Sequence, residues 1–363
     1  MREITRELYN DHALWTYQYS EFAEKVLEDD KADLIVMARA QLADANFCNK
    51  AKNGQVNQIR YCIGCNQGCY DYFCNSLYDP SIKHITCMRN PGLLEEVTDS
   101  LTMTSHPKKV VILGGGIAGM EAALDLKETG NTPIIIEKNS SLGGQFALAG
   151  VISAKKDFKN AVDKMIKDIE ESKIEVYLNT EASLELISNM KPDALMIATG
   201  SSPFILPIQG ANKCIIAHDV LSEKVNVKGE NAVIIGGGLV GFEIAEFLAS
   251  QGKKITILEM KEKALQDLGP LRQITAQFAM NKLPITIETS ATVEKIEENV
   301  VIASGKEYLY DDVIMAVGSK SNNTNIYESL DIPTYVIGDC KKAGVALNAF
   351  KDAYYAVLDI NKK

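Results

Sequence analysis

The apolar residues of this chain occur in short runs that alternate with stretches of helical spacing. The runs KKVVIL and NAVII are rich in β-branched residues, which is typical of strands. Each run is followed by a glycine-rich turn, a helical pattern that ends at Gly130 or Gly252, and a second β-rich run. This order predicts strand, helix and strand twice over, and therefore an α/β fold.

The two predicted strand–helix–strand units are copies of each other. Residues 114–138 (the first unit) align with residues 236–260 (the second unit) at a constant offset of 122 positions. Both begin with Gly-x-Gly-x-x-Gly, and both contain a glutamate, Glu137 or Glu259, 23 positions after the first glycine. This is the βαβ fingerprint for a dinucleotide in its full context, and two matching copies make it specific.

Each position of the fingerprint has an expected role. The first glycine permits the tight turn, the second lets the backbone approach a pyrophosphate, and the third lets helix and strand pack closely. The helix start offers free N–H groups and positive potential to the phosphates, and the glutamate accepts hydrogen bonds from ribose hydroxyls. The expected cofactor-binding residues are therefore Gly114, Gly116, Gly119 and Glu137 in the first unit, and Gly236, Gly238, Gly241 and Glu259 in the second.

Further segments extend this pattern: SSLGGQ after Glu137, the β-rich runs DALMIATGSSP and EYLYDDVIMAVGSKSN, and TYVIGDC near the C-terminal end. Over roughly residues 106–363 the arrangement resembles the flavoprotein disulfide reductases with two dinucleotide folds. The resemblance implies FAD in the first unit and NAD(P)H in the second. It implies that Asp339 contacts the ribityl chain of the flavin, and it adds as cofactor-binding residues Gly144, Gln145, Thr199, Gly200, Gly318 and Gly338.

The choice of nicotinamide nucleotide depends on Glu259. A carboxylate there can bind the 2′-hydroxyl of NADH and repels the 2′-phosphate of NADPH. Lys261 and Lys263 lie just beyond it and would soften that preference. We therefore expect NADH, with NADPH as the alternative.

Composition excludes several classes of partner. The 363 residues suffice for two or three domains, 46% of them are hydrophobic, and the net charge of -10 argues against nucleic acid. The N-terminal MREITRELYNDHALW contains no apolar signal core, and no apolar run reaches the ~18 residues of a membrane span. We expect a soluble, cytoplasmic protein without a membrane span, and the oligomeric state stays open, a homo-oligomer included.

Cysteines are concentrated before the first unit. YCIGCNQGCYDYFC holds four of the eight, and Cys87 follows in ITCMRNP. Cytosolic thiols stay reduced, which disfavours disulfides. Four cysteines, Cys62, Cys65, Cys69 and Cys87, could hold a four-iron cluster or a zinc ion. Zinc sites more often contain two C-x2-C pairs, whereas this chain has one, so we expect iron and sulfur and keep zinc as the alternative.

The two units themselves contain no redox Cys-x-x-Cys, and Cys214 and Cys340 are isolated, so electrons need another exit from the flavin. The segment SEFAEKVLEDDKADLIVMARAQLADANFCNKAKNGQ predicts a helix, a buried strand over residues 32–37 and another helix. Together with IRYCIGCNQGC and CMRNP, it closely resembles the end of the (β/α)8 barrel and the cluster segment of iron–sulfur flavoenzymes. That family includes 2,4-dienoyl-CoA reductase, trimethylamine dehydrogenase and 2-enoate reductase.

This second resemblance implies a [4Fe–4S] cluster between an FMN barrel and the FAD and NAD(P)H domains. It implies Cys87 as the fourth ligand, since CMRNP fits the Cys-x-x-Asn-Pro of the family, with Cys74 as its rival. It also matches Arg39 with an arginine that holds the FMN phosphate, although Ala38 replaces the glycine of the family. The expected domains are a barrel remnant (1–60), a cluster segment (61–105), an FAD domain (106–212 and 309–363) and an inserted NAD(H) domain (213–308).

A complete barrel takes about 250 residues, so we expect only its last strand and carry over no catalytic residues. FMN is not expected without the rest of the barrel. The expected function is an NADH-dependent oxidoreductase that passes electrons through FAD to the cluster and on to an FMN barrel or an enoate-type acceptor. The alternatives are an electron-transfer subunit completed by a barrel partner, and a remnant that binds nucleotides without turnover.

Overall fold

The computed structural model describes residues 19–95, 100–151 and 155–363. The helices in these ranges are α1 (Ser20–Glu28), α2 (Ala38–Ala43), α3 (Phe47–Lys52), α4 (Tyr70–Asn75), α5 (Ile117–Glu128), α6 (Gly144–Ala149), α7 (Lys156–Glu171), α8 (Leu184–Met190), α9 (Ala217–Leu221), α10 (Leu239–Ser250), α11 (Pro270–Lys282) and α12 (Ala346–Lys362). The strands are β1 (Lys109–Leu113), β2 (Thr132–Ile136), β3 (Glu175–Tyr177), β4 (Ala194–Ile197), β5 (Ser201–Pro203), β6 (Ile215–Ile216), β7 (Asn231–Ile235), β8 (Lys254–Leu258), β9 (Ile285–Glu288), β10 (Val293–Ile296), β11 (Val300–Ala303), β12 (Lys306–Leu309), β13 (Asp312–Met315), β14 (Ser319–Ser321) and β15 (Thr334–Val336). Short 3-10 turns cover Val56–Gln58, Ala211–Lys213, Asn325–Ser329 and Gly338–Cys340.

The first sheet contains the first unit and has the parallel strand order β15–β4–β1–β2–β3. Its central strands β1, β2 and β4 are buried almost throughout, which explains their continuous apolar runs. Helices α5, α7 and α12 pack on one face, where Met120, Met165 and Phe350 are buried. Helix α8 packs on the opposite face through Ile187. We call this sheet with its helices the first domain.

The second sheet repeats the arrangement around the second unit, with the parallel order β6–β13–β7–β8–β9. Helix α10 packs on it through the buried Phe242 and Ile244. Strands β10, β11 and β12 form a small antiparallel sheet whose Ile296 and Val301 cover the other face. We call this the second domain. The predicted fold class, α/β with two dinucleotide-binding domains, is confirmed.

The border between the two domains differs from the expected one. Strand β13 pairs with β7 in the second sheet, so the expected return of the chain to the first domain at residue 309 is wrong. The reason is that β13 occupies beside β7 the place that β4 occupies beside β1. The chain returns only afterwards, when β14 pairs with β5 and β15 joins β4.

The buried strand expected over residues 32–37 does not form. Leu34 and Val36 are 84% and 88% exposed, and residues 32–37 form neither a helix nor a strand, so this prediction is wrong. A single strand leaves its backbone groups unpaired, and no other strand of the described residues lies beside this segment. The neighbouring helices α2 and α3 pack instead near the buried Phe47 and Ile59.

Residues 1–18 lie outside the described residues, and so does the expectation about a signal sequence, which rested on them. Among the described helices, none combines the length and the apolar character that crossing a membrane would require.

Candidate functional site

The first unit forms a turn that only glycine can adopt at two positions. Gly114 has a φ of 104°, and a Cβ added to it would lie 2.4 Å from the carbonyl oxygen of Ala198. A Cβ on Gly119 would lie 2.0 Å from the carbonyl oxygen of Gly114, where α5 crosses the end of β1. By contrast, a Cβ on Gly116 would meet no atom within 4 Å, so the space above the start of α5 is open.

The second unit has the same turn. Gly236 has a φ of 109° and lies against Ala316, whose carbonyl oxygen would be 2.4 Å from an added Cβ. A Cβ on Gly241 would lie 2.0 Å from the carbonyl oxygen of Gly236. Both units therefore present the start of a helix, α5 or α10, at the end of a buried strand. This geometry suits the binding of phosphate groups.

The glutamate of each unit is buried and is held by the turn itself. Oε2 of Glu137 accepts a hydrogen bond from the backbone N of Gly115 at 2.7 Å. Oε2 of Glu259 accepts one from the backbone N of Gly237 at 2.8 Å, and its Oε1 accepts one from Lys261 N at 2.9 Å. The two carboxylates are thus fixed beside the glycine-rich turns. Their contact with a ribose stays a prediction.

Two residues expected around a flavin, Gln145 and Asp339, come together at Ser201. Oγ of Ser201 donates to Oδ2 of Asp339 at 3.0 Å, and Nε2 of Gln145 donates to the carbonyl oxygen of Ser201 at 2.5 Å. Oγ1 of Thr199 is buried and has no hydrogen-bond partner among the described residues. A buried hydroxyl without a partner is costly, so this position fits a bound polar group. The sequence patterns did not single out Ser201, although it directly follows the Ala-Thr-Gly run.

The expected glycines outside the two units have local roles. Gly144 and Gly200 have φ values of 56° and 73°, and Gly318, with a φ of 94°, accepts a hydrogen bond from Phe204 N at 2.9 Å. Gly338 has a φ of 67° and lies against α5, since an added Cβ would be 2.9 Å from the Cβ of Ala118. The turn before Asp339 therefore lies directly on the helix of the first unit.

The four expected ligands Cys62, Cys65, Cys69 and Cys87 line one pocket. Burial raises the pKa of the Cys65 thiol to about 12 and that of Cys87 to about 11. These thiols stay protonated at neutral pH unless a metal displaces the protons. Cys74 is not among the residues that line the pocket; it lies on α4 and interacts with the hydroxyl of Tyr70.

In the part of the chain that the structure describes, no three His, Cys, Asp or Glu side chains stand where they could hold a metal ion as placed. The four cysteines belong to the wall of one pocket. Apolar side chains, Leu42, Ile63 and Met88, complete the wall.

Two arginines also line this pocket. Arg89 is only 4% exposed, its Nε has no hydrogen-bond partner, and it forms no ion pair within the described residues. Its guanidinium carbon lies 5.8 Å from the centre of the Phe350 ring. Arg39 also lines the pocket, and its Nη1 donates to Oδ1 of Asn66 at 3.2 Å. Its expected contact with an FMN phosphate stays a prediction. Burial lowers the pKa of Arg89, and the carboxylates of Glu121 and Asp168 lie near enough to oppose that shift. Its buried Nε still has no hydrogen-bond partner within the described residues, so the pocket can accept a centre of negative charge.

The cysteine segment (residues 59–90) is fastened to the first domain by an ion-pair network. Nη1 of Arg60 lies 2.8 Å from Oε1 of Glu121, and its Nη2 lies 3.6 Å from Oδ1 of Asp125. Both carboxylates are buried on α5. Burial and the neighbouring Glu121 raise the pKa of Asp125 well above its ordinary range. On the other side of the segment, Leu347 N at the start of α12 donates to Oε1 of Gln67 at 3.2 Å.

The two domains are joined by a corresponding ion pair. Lys155, at the start of α7, contacts Glu243, which is buried on α10. Its ammonium group also lies 5.3 Å from the centre of the Phe158 ring. Neither partner was predicted from the sequence, because an ion pair between distant segments leaves no local pattern.

Residues 108–349 match the model of the family described as pyridine nucleotide-disulphide oxidoreductase. The chain is 34% identical to an NADH oxidase of Thermoanaerobacter brockii over 356 residues, which is 94% of the chain and 54% of that relative. It is 35% identical to a cinnamate reductase of Clostridium sporogenes over 353 residues, 94% of the chain and 51% of that relative.

Among solved structures, a 2-naphthoyl-CoA reductase in complex with 2-naphthoyl-CoA is similar with a TM-score of 0.84 and 29% identity. The similarity covers 93% of this chain and 52% of that one. The chain thus spans about half the length of these relatives.

Proposed function

The chain belongs to the pyridine nucleotide-disulphide oxidoreductase family, and from this premise we propose that it passes electrons from NADH through FAD to an iron–sulfur cluster. FAD is assigned to the first domain, NADH to the second, and a [4Fe–4S] cluster to Cys62, Cys65, Cys69 and Cys87. The final acceptor is an FMN barrel or an enoate-type substrate outside this chain. The family itself supports the coarser statement, an NAD(P)H-dependent flavin oxidoreductase related to enoate and NADH oxidoreductases.

One observation carries the proposal of a metal cluster: four cysteines share a pocket with the buried Arg89, whose Nε has no hydrogen-bond partner within the described residues. Four thiolates give a metal centre a net negative charge, which Arg89 would offset. A structural zinc ion needs its four sulfurs at about 2.3 Å from one point. The four cysteines contain one C-x2-C pair, whereas zinc sites more often contain two, which favours a centre of several iron ions.

When bound, FAD supplies hydride acceptance and one-electron release, and an iron–sulfur cluster supplies a one-electron relay. The residues of the chain supply binding and placement. The start of α10 and Glu259 hold and orient the nicotinamide nucleotide, while the start of α5, Thr199 and Asp339 hold the flavin. Arg60 and Gln67 keep the cysteine pocket against α5 and α12, so the pocket adjoins the flavin-binding domain.

A second candidate is an electron-transfer subunit that a barrel-bearing partner completes. The exposed Leu34 and Val36 favour it, because two large apolar side chains lie two positions apart on a segment that forms neither a helix nor a strand. If this holds, the purified chain reduces artificial dyes with NADH but reduces an enoate only after the partner is added.

The decisive experiment is anaerobic purification followed by a visible spectrum and by flavin, iron and zinc analysis. The proposal expects one FAD and about four irons per chain, and bleaching of the flavin by NADH. Cys87→Ser should remove the iron, whereas Cys74→Ser serves as the matched control and should keep it. One zinc without iron would replace the cluster with a structural site, and a flavin that NADH does not bleach would leave a nucleotide-binding remnant.

A further inference from the structure

We call the glycine-rich turn of each unit, together with the start of the helix that follows it, the phosphate cradle. In the second domain, a carboxylate of the protein lies on this cradle. Oδ2 of Asp267 accepts a hydrogen bond from the backbone N of Leu239, the first residue of α10, at 2.9 Å. The same oxygen lies over Gly238, because a Cβ added to that glycine would be 2.9 Å from it. Asp267 thus occupies both features that receive a pyrophosphate, the free N–H at the helix start and the space above the second glycine.

The first domain has no such occupant. Gln145 precedes Asp267 by the same 122 positions that separate the two units. The loops that carry them are held alike, since Gly143 N donates to the carbonyl oxygen of Gly115 at 2.9 Å and Leu265 N to that of Gly237 at 2.8 Å. Yet Gln145 turns away to the carbonyl oxygen of Ser201, and the space above Gly116 stays open.

We propose that Asp267 is a built-in occupant of the phosphate position in the second domain, which an incoming nucleotide must displace and which thereby lowers its affinity. The carboxylate competes for the N–H of Leu239 and repels the pyrophosphate once it is displaced. A nicotinamide nucleotide has to leave after each hydride transfer, whereas a flavin stays bound. An occupied cradle in the second domain suits a nicotinamide nucleotide that leaves, and an open cradle in the first domain suits a flavin that stays.

Asp267 is placed to move aside. It is exposed, and the bond to Leu239 N is the hydrogen bond its carboxylate makes within the described part of the chain. The residues before it, 261–263, are exposed as well. Displacement therefore breaks one charge-assisted hydrogen bond and disrupts no core packing.

This inference rests on the proposed assignment of the nicotinamide nucleotide to the second domain, but not on the metal cluster. The test measures binding of ADP-ribose by calorimetry to the FAD-loaded protein, because this probe contains the pyrophosphate and cannot reduce the flavin. Asp267→Asn and Asp267→Ala should each bind it about fivefold more tightly than the original protein. Asp267→Glu, which keeps the charge, and Glu262→Gln, which removes an exposed charge from the same loop, should show no gain.

Unchanged or weaker binding by both neutral variants would overturn the proposal. It would mean that the carboxylate only caps α10, in which case Asp267→Ala should also lower the thermal midpoint of unfolding. Absence of ADP-ribose binding in the original protein and in every variant would instead overturn the assignment of the second domain. Equal flavin content among the variants shows that the fold is intact in each.

Discussion

The two domains carry a buried glutamate at the same position of the fingerprint helix, and each uses it to hold a different neighbour. Glu121 on α5 binds Arg60 of the cysteine segment, and Glu243 on α10 binds Lys155 of the first domain. In both cases the cation belongs to the part of the chain that precedes the helix. The same position of the repeat therefore fastens the cysteine segment to the first domain and the first domain to the second.

The two contacts differ in charge. Helix α5 adds a second buried carboxylate, Asp125, whose counterpart on α10 is the apolar Phe247. One arginine thus lies beside two buried carboxyl groups at the first contact, whereas one lysine meets one carboxylate at the second. The geometry of the glycine-rich turn is the same in both copies. The outward-facing side chains of α5 and α10 differ, because each helix contacts a different part of the chain.

The largest effect is expected from removing the cation of the first contact. Arg60→Met removes the cation that forms ion pairs with the buried Glu121 and Asp125, which should lower the free energy of unfolding by about 3 kcal/mol or more. The thermal midpoint of the FAD-loaded protein measures this loss. Arg60→Lys keeps the charge and should retain most of the stability.

A double variant checks the cause. Adding Glu121→Gln to Arg60→Met removes one of the two uncompensated charges and should recover part of the lost midpoint. If the double variant is less stable than Arg60→Met, the network does not act through charge balance.

The second contact should respond less. Lys155→Met leaves only Glu243 uncompensated, and we expect a loss of about 2 kcal/mol. Because this pair joins the two domains, the rate at which NADH bleaches the flavin should fall as well, while the flavin content stays unchanged. Lys159→Met, which removes an exposed i,i+4 partner of Asp163 on the same helix, is the matched control and should change neither quantity measurably.

The sequence could predict the features that the two units share, whereas it could not predict the contacts in which they differ. The glycine spacing predicts the tight turns at Gly114 and Gly236, because a positive φ and close backbone contact depend on local residues alone. The runs of β-branched residues likewise predict β1 and β7. Their fold class is confirmed by the two parallel sheets.

The features that could not be predicted from the sequence depend on partners that are distant in sequence. The pattern over residues 32–37 suits a strand, but a strand needs a neighbour, and within the described chain Leu34 and Val36 have none. The repeat places Gln145 and Asp267 at matching positions, yet the direction in which each side chain turns depends on what surrounds its loop. Arg89 gave no signal either, since its importance comes from the pocket that four separate cysteines create.

A smaller effect should follow from giving the first cradle the residue of the second. Gln145→Asp introduces a carboxylate near the start of α5 and removes the hydrogen bond to Ser201. The dissociation constant for FAD should therefore rise about tenfold. The dissociation constant is obtained by titrating the flavin-free variant with FAD and following flavin fluorescence. Gln145→Glu, whose longer side chain can reach beyond the helix start, is the variant for comparison. Equal FAD affinity in the original protein and in both variants would show that the two cradles differ for another reason.

The smallest expected effect concerns the carboxylate that only the first contact has. The pKa of Asp125 is raised by burial, so the folded protein binds its proton more tightly than the unfolded chain does. Above the pKa in the folded state, its ionisation therefore opposes folding, and below about pH 4, where the unfolded chain is protonated too, this cost is absent. Asp125→Asn should raise the stability by about 1 kcal/mol at pH 8, and the gain should shrink as the pH falls towards 4. Unfolding midpoints of both proteins across this pH range test the sign. A loss of stability at pH 8 would mean that Arg60 needs both carboxylates, and that the extra charge of the first contact strengthens it.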